Sequence, residues 1–212
     1  MTLRSMVVDQ ARNPSGTSHA VRRAHLLDAV VAVIARRGLE RTRFQDVAAE
    51  AGVSIGTLQH YFGSRQTMIL EAIRWSVDPG EEDLPTAGVG DPWERLQMVL
   101  ARGTDGGETR EDWWRVWIAA LAAAVNDPLI AETVTDAYRA WSAPLTAIIA
   151  DGIAQSRFRT DLDPAAAAGI LLAAMDGIAL QSLTQGTDHT TEVRLRGARA
   201  FATALLGVDG AT

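Results

Sequence analysis

The sequence predicts an all-α protein, with an N-terminal three-helix helix-turn-helix domain followed by a C-terminal antiparallel helical bundle. Three observations carry this. Apolar residues recur at helical spacing along most of the chain, and no segment alternates as a strand would. Residues 42–65, TRFQDVAAEAGVSIGTLQHYFGSR, read as a helix, a tight glycine turn, a second short helix and the capped start of a third. That is the layout in which the second helix lies in the major groove of DNA. An acidic stretch rich in Pro and Gly at 78–91, DPGEEDLPTAGVGD, then separates this head from the rest.

Taken in order, residues 1–18 have little apolar periodicity and are expected to form a flexible tail. A first helix is expected from about Ser18 to Arg37, because Leu26, Leu27, Val30, Val33 and Ile34 form one stripe and Gly38 stops it. Thr42 is expected to cap the next helix, with Gln45 completing a capping box. Gly52 sits where the chain turns sharply, with Val53 plugging the corner. Ser54 caps a helix only two turns long, which must be clamped by packing since it is too short to be stable alone. Gly63 and Ser64 end it and cap a helix over Arg65–Val77. Beyond the linker, Asp91-Pro92 places an Asp cap before a first-turn proline, Asn126-Asp127-Pro128 breaks one helix and starts another, and Asp163-Pro164 begins a further one. These predict helices from Pro92 to about Arg102, from Pro128 to about Ser156 with a bend at Pro144, and from Pro164 to about Thr184. Helices over Glu111–Val125 and from His189 to about Leu206 complete the set, with GTDGGETR (103–110) as a loop. The expected domains are therefore 1–18, 19–77 and 78–212.

Charge is divided between these domains. Residues 1–75 hold 10 Arg against 6 acidic residues, whereas residues 76–212 hold 10 Arg against 20, so a chain of net charge −6 carries a basic head. Phosphates meet the local patch and not the average. An acidic bundle cannot itself bind DNA, which leaves it dimerisation and sensing. There is no cysteine, which excludes disulfides, thiolate metal sites and cysteine nucleophiles. The N-terminus lacks an apolar signal core, and no apolar run reaches the roughly 18 residues of a membrane span. A soluble cytoplasmic protein is expected.

The residues AEAGVS-GTL-HYF-S, followed by an amphipathic helix, resemble the TetR family of bacterial repressors over about residues 20–77. WWRVWIAALAAAVNDPLI, YRAW and DLDPAAAAGILLAAMDGIAL resemble the C-terminal domain of its choline-responsive, BetI-like branch. The resemblance implies a role for each matching residue. Thr42 and Arg43 would hold phosphates. Ser54, Ile55, Gly56 and Thr57 would open the recognition helix toward base edges, with Gln59 and His60 one turn further along. Tyr61 would donate its hydroxyl to a phosphate. Arg65, standing where lysine is usual, would grip another at a positive helix end. The chain departs from the family at Gln59, where an aromatic is common, and glutamine can make two hydrogen bonds to adenine. It departs again at Thr67, where Glu often completes a capping box, so that cap is expected to be weaker. His60 is open to either reading, base contact or solvent-facing spectator.

In the C-terminal half, Trp113 and Trp117 share one helix face and Tyr138 and Trp141 another. Packed together, these faces would form a box for a cationic or flat apolar ligand, or they would simply fill the core. Asp176 lies in an apolar helix, where an unpaired carboxylate would cost several kcal/mol. It therefore needs an Arg, a helix terminus or a ligand cation as partner. Leu171, Leu172, Met175, Ile178 and Leu183, with Phe201 and Leu205, are candidates for a two-fold dimer interface or for the protomer core. A dimer would present two heads about one helical turn of DNA apart, roughly 34–36 Å, to a palindromic operator.

No metalloprotease, P-loop, nucleophile-elbow or dinucleotide motif occurs, and the four His show no metal-ligand spacing, so neither enzyme nor cofactor is expected. The sequence therefore predicts a homodimeric repressor released from DNA by a small molecule. A ligand-independent regulator or activator with the same head, and a carrier bundle that has lost DNA binding, are the alternatives.

Overall fold

The computed structural model describes residues 14–78, 90–104, 108–184 and 191–208. Among them are nine helices and no strand: α1 Pro14–Arg37, α2 Phe44–Ala51, α3 Ile55–Phe62, α4 Arg65–Val77, α5 Pro92–Thr104, α6 Glu108–Ala124, α7 Pro128–Ala154, α8 Pro164–Thr184 and α9 Thr191–Leu206. The chain is all-α, as expected. Residues 1–13 of the expected tail, 79–89 of the linker and the expected helix start at His189 lie outside the described residues.

Several boundaries differ from the sequence expectation. The first helix begins at Pro14 and not near Ser18, since a proline at the first helical position lacks only an N–H that has no helical partner there. Helix also replaces both ends of the expected 103–110 loop, as α5 runs to Thr104 and α6 starts at Glu108. α7 runs through Pro144 as one helix.

Two compact units form, and they do not follow a single cut at residue 78. Residues 108–137 join the N-terminal helices, and residues 83–107 join 138–212. In the first unit α1 packs against α2, α4 and α6. Its predicted stripe is the core: Leu26, Leu27, Val30, Val33 and Ile34 are each at most 2% exposed. The Trp75 indole N–H donates to Asp28 at 2.8 Å, tying α4 to α1.

In the second unit α9 packs on α5 and α8, around a core that includes Leu96, Leu100, Leu145, Ile148, Leu171 and Ala202. Each Asp of the three Asp-Pro pairs caps its helix. The carboxylates accept from the N–H of Trp93 (2.6 Å), Leu129 (2.9 Å) and Ala165 (3.0 Å). Buried Arg95 on α5 donates two 3.0 Å bonds to Asp151 on α7.

α8 has the length and mean hydropathy, 1.6, of a membrane span, contrary to the expectation that no run would reach it. Ala raises its hydropathy without bulk, while Asp176 interrupts it. Ala167, Ala168, Leu171, Met175 and Ala179 are buried within the unit.

The same burial corrects part of the expected interface. Leu171 and Met175 belong to the protomer core, and Leu172, Ile178 and Leu205 pack partly against it. The apolar residues left exposed on α8 and α9 are Ile170, Leu180, Val193 and Phe201.

Candidate functional site

The turn before α3 is built around Gly52, whose φ of 64° and ψ of 35° place it in the left-handed region. Its N–H and that of Val53 both return to the Ala48 carbonyl, which closes α2 and reverses the chain at low cost only because Gly has no Cβ. Ser54 then caps α3, its Oγ accepting the Thr57 N–H at 3.1 Å. Leu58 is fully buried and Phe62 nearly so. These two side chains clamp the two-turn helix, which packs against α2 and α4. The opposite face is open: Ser54, Ile55, Gly56, Gln59 and His60 are exposed, and Thr57 is half-buried.

The end of α3 is fastened to α1 by residues far apart in sequence. Arg23 donates to the Tyr61 carbonyl at 3.2 Å, pairs with Glu71 on α4 and lies 5.4 Å from the Phe62 ring centre. Burial raises the Glu71 carboxyl above its ordinary range, and the Arg23 charge opposes that rise. The Tyr61 ring stacks on His19 at 4.9 Å and meets His60 edge-on at 5.8 Å. Neither Arg23 nor His19 was expected at the site. Their partners lie some forty residues away, beyond the reach of local spacing.

Three expectations in this head are corrected. Thr42 is fully buried and donates its hydroxyl to the Gly38 carbonyl at 2.9 Å. It therefore does not cap α2, and its hydroxyl is engaged within the head. The cap position belongs to Arg43, whose N–H is accepted by Asp46 at 3.2 Å, and Asp46 thereby takes the place expected for Gln45. Arg65 is turned inward. Its Nε donates to the Thr42 carbonyl at 2.6 Å, and its Nη2 to the carbonyls of Leu39 (2.5 Å) and Glu40 (2.9 Å). The α4 cap has the form expected without Glu: Ser64 accepts the Thr67 N–H at 3.0 Å and shares a hydroxyl contact with Thr67 at 2.8 Å.

The candidate ligand residues fall in different units. Trp113 and Trp117 lie in the first, each only 6% exposed. Tyr138, Trp141 and Asp176 lie in the second, each half-buried. There the Tyr138 phenol donates to Asp176, a partner that was not among those expected for this carboxylate. Burial first, and then the bond and charge of Asp176, push the Tyr138 phenol well above the usual tyrosine range. Among the described residues no His, Asp and Glu cluster could hold a metal ion.

Comparison with known proteins agrees with this geometry. The family profile described as bacterial regulatory proteins, tetR family, matches residues 26–72. That described as BetI-type transcriptional repressor, C-terminal, matches residues 92–207. The HTH-type transcriptional regulator BetI of Burkholderia cenocepacia is 28% identical over 195 residues, covering 89% of this chain and 96% of that protein.

Among solved structures, a transcriptional regulator from Saccharomonospora viridis in complex with choline superposes with a TM-score of 0.72. It is 29% identical, with 85% of this chain and 94% of that chain covered. A TetR transcription regulator from Haloarcula marismortui shares the fold at a TM-score of 0.74 and 18% identity, covering 89% and 97% of the two chains. The capped and clamped α3, the left-handed glycine turn before it and a profile match spanning most of the helices after residue 91 lead to one conclusion: the chain belongs to the TetR family of bacterial regulatory proteins, as a transcriptional regulator of the BetI type.

Proposed function

We propose that this regulator is a homodimeric repressor that binds a palindromic operator through α3 and is released by a small cationic ligand. The observation that carries the DNA contact is the two-sidedness of α3, with Leu58 and Phe62 sunk in the head and Ser54, Ile55, Gly56, Gln59 and His60 left open. Gln59 would read a base edge and Ile55 would meet a thymine methyl. Arg43, exposed at the start of α2, and the Tyr61 hydroxyl, which no described residue bonds, would hold phosphates.

The ligand reading is supported by the Saccharomonospora viridis relative, whose structure holds choline. It is also supported by Tyr138, Trp141 and Asp176, which supply an aromatic face and a carboxylate suited to a quaternary amine. The burial of Trp113 and Trp117 favours a core role for both.

Selecting bound duplexes from a random pool, and then titrating choline into the complex, tests the proposal in two steps. A palindromic consensus with two half-sites is expected, and choline should release it. To move a complex from mostly bound to mostly free, the ligand must favour one state by several kcal/mol. A complex that ignores choline and other quaternary amines would leave a regulator without an amine inducer. The absence of any selected sequence would remove the operator.

A further inference from the structure

Tyr61 lies in the last turn of the recognition helix with its ring between two histidines, and only one of them belongs to that helix. His19 comes from α1, 42 positions earlier, and its ring lies nearly parallel to that of Tyr61, at 4.9 Å and 21°. His60 meets the same ring edge-on. Both imidazoles are exposed, so the three rings form one aromatic surface where α3 meets α1. Arg23, one turn along α1 from His19, fixes the spacing by bonding the Tyr61 carbonyl.

We infer that His19 is a DNA-contacting residue: it holds the Tyr61 ring against α1 and presents its imidazole to the phosphate that Tyr61 reaches, so that DNA affinity rises as pH falls. The inference rests on the proposal that α3 enters the major groove. With the two ring centres 4.9 Å apart, one phosphate is proposed to meet both side chains. Histidine is the side chain whose charge changes between about pH 5 and 8. A cation gained beside a phosphate displaces one further counterion and steepens the salt dependence of binding by about 0.9.

Among the described residues, the charged and titratable groups bonded or stacked around the pair are Arg23 on α1, His60 on α3, and Glu71 on α4 through Arg23. Glu71 is engaged by Arg23. A phosphate would thus be the new anion that a protonated His19 meets.

The experiment uses the full chain and a random-sequence 30-base-pair duplex, since a phosphate contact is independent of sequence. Affinity is measured against salt at pH 6 and pH 8 for the parent, His19→Gln, His19→Phe and His60→Gln. The parent's slope should be steeper at pH 6. His19→Gln should lose about one unit of it there and match the parent at pH 8. His19→Phe keeps a stacked ring without a charge, so it should match the parent's salt slope at pH 8 and lose the steepening at pH 6. His60→Gln should retain the steepening due to His19. The inference is overturned if His19→Gln keeps the parent's slope at pH 6, or if His60→Gln alone abolishes the pH effect. A parent that shows no salt-dependent binding at either pH would overturn the DNA-contact reading itself, and this inference with it.

Discussion

A guanidinium carries five N–H donors in one plane, and in Arg65 three bonds from those donors end on main-chain carbonyls of the single turn between α1 and α2. That turn leaves a helix at Gly38, which has a φ of 81°, and enters another six residues later. The Leu39 carbonyl also accepts the Thr42 N–H at 3.4 Å, and bonds to a charged donor contribute about 1.5–3 kcal/mol each in favourable settings. Arg65 and Arg43 should therefore separate cleanly. Arg65→Ala should cost about 1–3 kcal/mol of stability and lower the thermal midpoint. Arg43→Ala should leave the midpoint alone and flatten the salt slope of DNA binding by about 0.9. Calorimetry beside a salt titration reads both, and a slope that flattens for Arg65→Ala at unchanged stability would restore the phosphate role.

Tyr138 supports a second prediction at this scale. Its phenol ionises only above the ordinary range, because of burial and then the Asp176 carboxylate. A group whose folded value is raised contributes stability that is complete below the unfolded value, about 10, and is lost as pH climbs beyond it. The chain has two tyrosines, so Tyr61→Phe leaves Tyr138 as the sole reporter. Its absorbance near 295 nm should rise at higher pH than that of free tyrosine, and Asp176→Asn should move the step down.

At the scale of elements, most of the fold is legible in the sequence because the signals are local. An Asp before a Pro fixes the start of α5, α7 and α8, and each carboxylate is found on the N–H groups of its own first turn. Gly52, Ser54, Gly63 and Ser64 likewise mark α3 and α4. The contacts that join elements are not legible in this way. Arg23 with Tyr61, Arg65 with the turn before α2, and Tyr138 with Asp176 each join residues 23 to 38 positions apart, and their residue types allow many other partners.

Glycines inside helices show the same limit, since sequence gives their flexibility and only packing gives their purpose. A Cβ on Gly152 would fall 2.0 Å from the buried Phe158 ring, whereas one on exposed Gly169 meets nothing within 4 Å. Gly152→Ala should therefore destabilise by about 1–3 kcal/mol through overpacking. Gly169→Ala should stabilise by about 0.5–1 kcal/mol through helix propensity. Thermal or denaturant unfolding of the two variants should move in opposite directions, and a shared sign would refute this account of Gly152.

At the scale of the whole molecule, the question is what the exposed apolar side chains of α8 and α9 are for. Ile170, Leu180, Val193 and Phe201 are 39–46% exposed, on helices whose buried stripe already includes Leu171, Met175, Ala198 and Ala202. The protomer core is thus filled without them, and side chains of this size left open on adjacent helices offer the proposed dimer a surface. The proposed palindromic operator would require one patch to meet its copy across a two-fold axis. Leu180→Glu and Phe201→Glu place charges on that patch and remove nothing from the core. On the proposed dimer, the parent should sediment as a dimer, whereas both variants should keep its helical circular dichroism, sediment as monomers, and lose two-site binding to a palindrome while still binding random duplex weakly. A variant that stays dimeric would move the interface to another face. A variant that turns monomeric but keeps full affinity for the palindrome would separate dimerisation from operator reading.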